Sequence, residues 1–92
     1  MVTAFVLIDA EPAHVAQLAE QAADIQGVAE AYSVAGLADV VAVVRVPKIE
    51  DLADVVTVHL HALAGVLDTR TMVAFRSYSR HDLEAMWSIG TE

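Results

Sequence analysis

The chain has 92 residues, of which 57% are hydrophobic and 20% charged, and its 13 acidic residues against 5 basic ones give a net charge of −8. This length predicts one small domain, and the apolar content excludes a disordered chain. The charge argues strongly against direct binding to nucleic acid, because that binding depends on clustered Lys and Arg side chains and the five here are scattered.

The sequence has no segment typical of membrane insertion or secretion. No apolar run reaches the ~18–20 residues that cross a bilayer, and the N-terminal segment meets an acid at Asp9 with no basic region before it. The absence of Cys removes disulfides, thiolate metal ligands and a cysteine nucleophile. These features favour a cytoplasmic protein.

The first third of the chain predicts a strand followed by a helix. Residues 2–8 (VTAFVLI) are a β-branched and aromatic run of strand length. Glu11 and Pro12 are typical of a helix start, because the acid lies at the positive end of the helix dipole and Pro suits the first helical position. Apolar residues then recur at helical spacing as far as Gly27, a typical helix end.

The middle of the chain predicts a hairpin and a second helix. Residues 28–34 and 40–46 are two further strands, and the short connection across Gly36 makes them a hairpin. Pro47 ends the third strand, after which the spacing of apolar residues predicts a helix. Its apolar face comprises Ile49, Leu52, Val56, Leu60 and Leu63, and Gly65 closes it.

The end of the chain predicts a long strand over residues 66–78 and a short helix over residues 80–88. We therefore divide the chain into a domain of residues 1–78 and a helical tail of residues 79–92. The two halves of the domain resemble each other, because each helix ends in the same four-residue pattern of apolar residue, variable residue, Gly and Val, at residues 25–28 and 63–66. The resulting βαββαβ order predicts an α+β, ferredoxin-like sandwich with four antiparallel strands and both helices on one face.

Two of the strands are apolar on both faces, as residues 5–8 and 40–44 show. A sheet with one solvated face would instead alternate apolar and polar residues. One face packs on the helices, and a ferredoxin-like domain has no third layer to cover the other. The sequence therefore predicts a homodimer with its sheets face to face.

The side chains that carry catalysis or hold metals do not form a recognisable set. No Ser lies in a strand-turn-helix motif that would place it against a His. His59 and His61 lie two residues apart on a predicted helix, so they point to different sides and do not suit one metal ion. We expect no catalytic residue, no metal and no cofactor.

The turn of Gly36, Leu37, Ala38 and Asp39 offers backbone N–H groups and one carboxylate between two apolar strands. Backbone amides hold a carboxylate and Asp holds an ammonium, so the turn suits a zwitterion such as an amino acid. Thr69 and Thr71 share one face of the last strand and suit the lining of a small polar pocket. The alternative is structural: Gly supplies a positive φ, Asp ties the turn, and Thr reflects strand propensity.

These features together resemble the effector domain of the leucine-responsive/asparagine-regulator (Lrp/AsnC) family, also called the regulation-of-amino-acid-metabolism domain. The resemblance covers residues 2–77. It rests on the βαββαβ order, the Gly-Val after the first helix, Gly36-x-x-Asp39, the VVAVVRVP strand, Ala64-Gly65-Val66 and Thr69-x-Thr71.

The resemblance implies a domain that dimerises through its sheets, forms rings of dimers such as octamers, and binds amino acids in clefts between neighbouring dimers. The turn from Gly36 to Asp39 would contribute main-chain and carboxylate contacts, and Thr69 and Thr71 would line the site. The family's full-length regulators carry an N-terminal helix-turn-helix, whereas this chain starts in its first strand, so it resembles the stand-alone members. The family often has an aromatic residue where this turn has Ala38.

The expected function is therefore a non-enzymatic module that senses an amino acid or similar metabolite, self-associates, and mixes with full-length Lrp/AsnC regulators. Two alternatives stay open. One is a small dimeric enzyme of the cofactor-free oxygenase or isomerase type, which an inward-directed His14 or His59 would favour, because fold does not fix function. The other is a scaffold without ligand, in which Gly36 and Asp39 only form the turn.

Overall fold

The computed structural model describes residues 1–80, which form one antiparallel sheet covered on one face by helices. The elements in chain order are β1 (Val2–Ala10), a 3₁₀ turn (Pro12–His14), α1 (Val15–Ala23), β2 (Val28–Ser33), β3 (Val40–Val46), α2 (Ile49–Asp54), a π-helical segment (Val55–Leu60) and β4 (Val66–Val73). The strand order is β2-β3-β1-β4, and each neighbouring pair is antiparallel. This confirms the ferredoxin-like fold. The predicted last strand over residues 66–78 is too long, because β4 ends at Val73, which already lies opposite Ala4 near the start of its partner β1. Residues 81–88 of the predicted terminal helix lie outside the described residues, and the division at residue 78 stays a prediction.

The second helix differs from its prediction, because it changes from α to π winding after Asp54. The spacing predicted an α-helix with Val56 facing inward, but Val55 is buried and Val56 only partly so. Val55 and Leu60 are five residues apart, the spacing of the π-helical hydrogen bond, and both side chains are buried in the core. A run of β-branched residues starts at Val55, and crowding at their Cβ atoms lowers α propensity.

The core lies between the helices and one face of the sheet. Alternate residues of β1 and β3, including Val6, Ile8 and Val44, have no exposed surface and pack with Leu18 of α1 and Leu60 of the π-helical segment. No helix among residues 1–80 has the length and apolar character needed to cross a membrane.

Gly65 joins the second helix to β4 and lies against the start of the first helix. Its φ is +90°, a conformation that residues with a Cβ rarely adopt. A Cβ added here would lie 2.5 Å from the Cβ of His14, and the Gly65 carbonyl accepts a 2.9 Å hydrogen bond from the Glu11 amide. Gly27, in the matching position of the first half, has a φ of +99°. The Gly-Val pair repeated in the two halves of the sequence therefore corresponds to two helix ends at which glycine adopts a left-handed backbone conformation.

The other face of the sheet, here called the open face, is covered by no other element of residues 1–80. Its apolar side chains include Phe5, Tyr32 and Met72, which are 37%, 49% and 54% exposed. Phe5 lies opposite both Met72 on β4 and Val43 on β3. The prediction that β1 and β3 are apolar on both faces is therefore confirmed.

Candidate functional site

The β2–β3 turn is tied to β1 through its main chain. The Asp39 carbonyl accepts a 2.9 Å hydrogen bond from the Val34 amide, and the Asp39 amide donates a 3.0 Å bond to the Ile8 carbonyl. Gly36 has a φ of +122°, and a Cβ added there would meet no atom within 4 Å. The turn therefore needs Gly36 for its backbone conformation and leaves open space beside it.

The Asp39 side chain anchors the turn a second time. Its Oδ2 accepts a 2.9 Å hydrogen bond from the Ala10 amide, next to the register shift that ends the regular pairing of β1 with β4. The pairing of β1 with β3 ends at Ile8 and Val40, so no residue of β3 pairs with the Ala10 amide, and the Asp39 carboxylate satisfies it instead. Within residues 1–80, Oδ1 of Asp39 accepts no hydrogen bond, so one oxygen stays available.

The turn also presents free backbone donors. The amides of Gly36, Leu37 and Ala38 donate to no other residue in the described part of the chain. The Leu37 side chain is 90% exposed, whereas Ala38 is buried. The turn thus combines unpaired N–H groups with a free carboxylate oxygen, the two group types that recognise the ends of an amino acid.

Arg70 of β4 holds the turn from the open face, a contact that the sequence analysis missed. Its Nη1 donates to Oδ2 of Asp9 at 2.8 Å, and its Nη2 donates to Oδ1 of Asp9 at 3.3 Å and to the Leu37 carbonyl at 2.7 Å. Because side chains alternate between the two faces along a strand, the sequence places Arg70 on the face opposite to Thr69 and Thr71. Finding Asp9 and Leu37 as its partners required the β1–β4 register, in which Arg70 lies opposite Leu7.

The ion pair with Arg70 shifts the titration of Asp9. Hydrogen bonds from Arg70 lower the pKa of Asp9 below its ordinary value of 3.8, the charge of Arg70 adds to this, and partial desolvation opposes it. A lowered folded-state pKa means that the pair stabilises the fold above pH 3.8, and that this contribution is lost as the pH falls through the folded-state value.

We therefore expect the Asp9 carboxyl to titrate below pH 3.8 when followed by NMR of its side-chain carbon. In the Arg70→Gln variant the same signal should titrate at higher pH, because the charged donor is gone. An Asp9 signal that titrates at the same pH in both proteins would contradict the bidentate pair.

Thr69 and Thr71 lie on the helix side of β4, where they occupy different surroundings. The Oγ1 of Thr69 is 2.7 Å from Nε2 of His61. Thr71 borders a cavity of about 240 Å³, whose other lining residues are Ile49, Leu52, Ala53, Val56 and Thr57. Because alternate strand residues face opposite sides, Thr69 and Thr71 lie across the sheet from Arg70 and its contact with the Leu37 carbonyl.

The turn and the threonines therefore do not share one pocket within a single chain. Asp39 and Thr69 flank the same residue, Ile8, from the two sides of β1. Two strand spacings separate them, roughly 9–10 Å.

A second cavity, of about 490 Å³, lies at the opposite end of the sheet from the turn. Arg45, Asp51, Asp54 and His59 provide its charged and titratable lining. His59 and His61 thus lie on different sides of the second helix, as predicted. No group of three potential metal ligands occurs among the residues that the structure describes.

A His14 or His59 directed inward over the sheet would favour the enzyme alternative, and the two residues lie at different places in the helical layer. His14 lies against Gly65, with its Nδ1 at 3.4 Å from Oε2 of Glu11. His59 lines the larger cavity, and His61 contacts Thr69.

The fold is an α+β, ferredoxin-like sandwich, and comparison with known proteins identifies the family. The sequence matches the family model of the Lrp/AsnC ligand binding domain over residues 3–83. The chain therefore belongs to the Lrp/AsnC family.

A curated relative and two solved structures support this assignment. An uncharacterised HTH-type transcriptional regulator of Pyrococcus furiosus is 41% identical over 76 residues, which are 79% of this chain and 51% of the relative. The chain thus spans about half the length of that relative. A protein of known crystal structure from Thermus thermophilus is 49% identical, with a TM-score of 0.81, and the match covers 87% of this chain and 100% of that chain.

A feast or famine regulatory protein from M. tuberculosis, complexed with L-methionine, is 29% identical with a TM-score of 0.72. That match covers 87% of this chain and 54% of the regulator. Of the relatives described here, one is thus named as a transcriptional regulator and another as a regulatory protein in complex with an amino acid.

Proposed function

We propose that this protein is a non-enzymatic module that binds an amino acid or a similar small metabolite and self-associates. The observation that carries the proposal is the β2–β3 turn, which is held firmly to the sheet yet keeps unpaired donors and a free carboxylate oxygen. The L-methionine bound to the M. tuberculosis relative supports an amino acid as the ligand class.

The turn offers one contact for each end of the ligand. The amides of Gly36, Leu37 and Ala38 face the ligand carboxylate, and Oδ1 of Asp39 accepts from its ammonium group. Charge-assisted hydrogen bonds of this kind are short and strong. Anchoring at Ile8 and Ala10 fixes these groups before binding, which lowers the entropic cost of holding the ligand.

Self-association completes the proposed site. Two copies meet through their open faces, and rings of such dimers bring β4 of one subunit beside the turn of another. Thr69 and Thr71 then line the site from the neighbouring subunit, since a single chain keeps them away from its own turn. Mixed assemblies with full-length regulators would transmit the ligand signal to DNA binding.

Replacing Asp39 with Ala tests the ligand contact. We expect the variant to bind its amino acid at least ~1 kcal/mol more weakly in calorimetric titration, because hydrogen bonds to charged groups contribute ~1.5–3 kcal/mol and main-chain contacts to the carboxylate remain. The matched control is Glu20→Ala on the exposed surface of α1, which removes the same charge and should leave the affinity unchanged. Equal affinities of wild type and Asp39→Ala would overturn the proposed contact.

A further inference from the structure

We infer that Arg70 is a positioning residue that links the β2–β3 turn to the open face, so that ligand binding and association through that face strengthen each other. The inference rests on the proposed function, because it concerns how the proposed ligand site and the proposed dimer communicate. Arg70 is the side chain that couples the ligand-binding turn to the open face.

The geometry of Arg70 places it on both surfaces. Its backbone belongs to β4, and its side chain lies on the open face beside Leu7. The guanidinium extends over β1, pairs with both oxygens of Asp9, and reaches the Leu37 carbonyl beyond it. One planar group therefore contacts the edge strand, the central strand and the turn.

Arg70 supplies the contact that the rest of the turn lacks. Asp39 fixes the end of the turn next to β3, through Ile8 and Ala10. Leu37 has no other hydrogen bond within residues 1–80, so the contact between Nη2 of Arg70 and the Leu37 carbonyl orients the peptide before Ala38. An Arg satisfies Asp9 and Leu37 together because its donors are fixed in one plane, an arrangement that the single ammonium of Lys does not reproduce.

Association through the open face also affects the ion pair of Arg70 with Asp9. Arg70 and Asp9 are only partly exposed and lie next to apolar side chains of that face, Leu7 and Met72 among them. A second copy covering the face removes water from the pair, and hydrogen bonds between charged groups strengthen as the local dielectric falls. A more firmly held Leu37 gives the ligand a preorganised turn, and by linkage the bound ligand favours the associated state by the same factor.

The first test needs no ligand. We expect Arg70→Gln to speed hydrogen exchange by roughly tenfold at the amides of Val34 and Asp39, which are hydrogen-bonded to the carbonyls of Asp39 and Ile8, because local opening of the turn becomes easier. Arg70→Lys should give an intermediate increase. The control is Arg45→Gln, since Arg45 also lies on the open face and pairs with Glu30 at 3.6 Å but does not contact the turn. Unchanged exchange in Arg70→Gln would overturn the positioning role.

The second test measures the coupling with the amino acid that stabilises the wild type most. Affinity should rise with protein concentration across the dimerisation range in the wild type and in Arg45→Gln. In Arg70→Gln it should be roughly fivefold weaker and should depend less steeply on concentration, since only the contribution of the neighbouring threonines remains. A wild-type affinity independent of concentration, or an Arg70→Gln variant with the full wild-type dependence, would overturn the coupling. If no amino acid binds the wild type, the proposed function fails, and the exchange experiment still decides whether Arg70 positions the turn.

Discussion

Replacing Phe5 with Asp should prevent formation of the proposed dimer and leave a monomer. Phe5 lies in the middle of the open face, between Val43 and Met72 on the two neighbouring strands, and it is not part of the core beneath the helices. An aromatic residue central to an interface contributes at least about 2 kcal/mol, and a two-fold axis counts it twice, so the dissociation constant should rise roughly 1,000-fold. Light scattering across a concentration series measures the change.

A second variant tests the same interface in case Phe5→Asp does not fold. Met72→Asp changes the adjacent strand at a more exposed position, and it should also yield a monomer with an unchanged circular dichroism spectrum. The control is Val58→Asp, because Val58 is 56% exposed and lies in the helical layer, away from the open face. A folded Phe5→Asp protein with wild-type mass at all concentrations would show that the open face is not the dimer interface.

Replacing Gly65 with Ala should destabilise the fold by about 3 kcal/mol or more, because two costs add at this position. The φ of +90° costs a residue with a Cβ roughly 1–2 kcal/mol. The new Cβ would also lie 2.5 Å from the Cβ of His14, a backbone-linked atom that moves only if the 3₁₀ turn moves. Overpacking of this kind costs roughly 1–3 kcal/mol. Denaturant unfolding at fixed protein concentration measures the difference.

Gly36→Ala separates the two costs. Gly36 also has a positive φ, but a Cβ there meets nothing within 4 Å, so only the conformational cost of roughly 1–2 kcal/mol applies. The expected order of stability is wild type, then Gly36→Ala, then Gly65→Ala. Equal losses in the two variants would show that the approach of His14 to Gly65 does not contribute.

The fold follows closely from local patterns in the sequence. Apolar runs of strand length, helical spacing after Pro12 and glycines at two helix ends are signals carried by neighbouring residues, and the structure contains each of them. The doubly apolar strands were equally visible, because alternation along a strand determines which face each residue occupies. The sequence therefore predicted the architecture and the uncovered face together.

The contacts of the turn were less predictable, since they depend on register. Asp39 is recognisable from the sequence as a residue of the turn, but its bond to Ala10 depends on where the pairing of β1 with β3 ends, which no local pattern indicates. Arg70 is 33 residues from Leu37 and 61 from Asp9, so only the folded sheet brings the three together. The π-helical segment followed from burial of Val55 and Leu60, a tertiary effect that overrode the α-helical spacing.

The most direct test of the central claim is thermal melting against a panel of the twenty amino acids, with light scattering on the same samples. A ligand that binds only the native state stabilises it by about 2.7 kcal/mol at 100 times its dissociation constant, and a shift of the melting temperature reports this. We predict that at least one amino acid raises the melting temperature of the self-associated wild type and that Asp39→Ala reduces the shift. No shift with any amino acid, for a protein that still self-associates, would contradict the proposed ligand class and favour a scaffold.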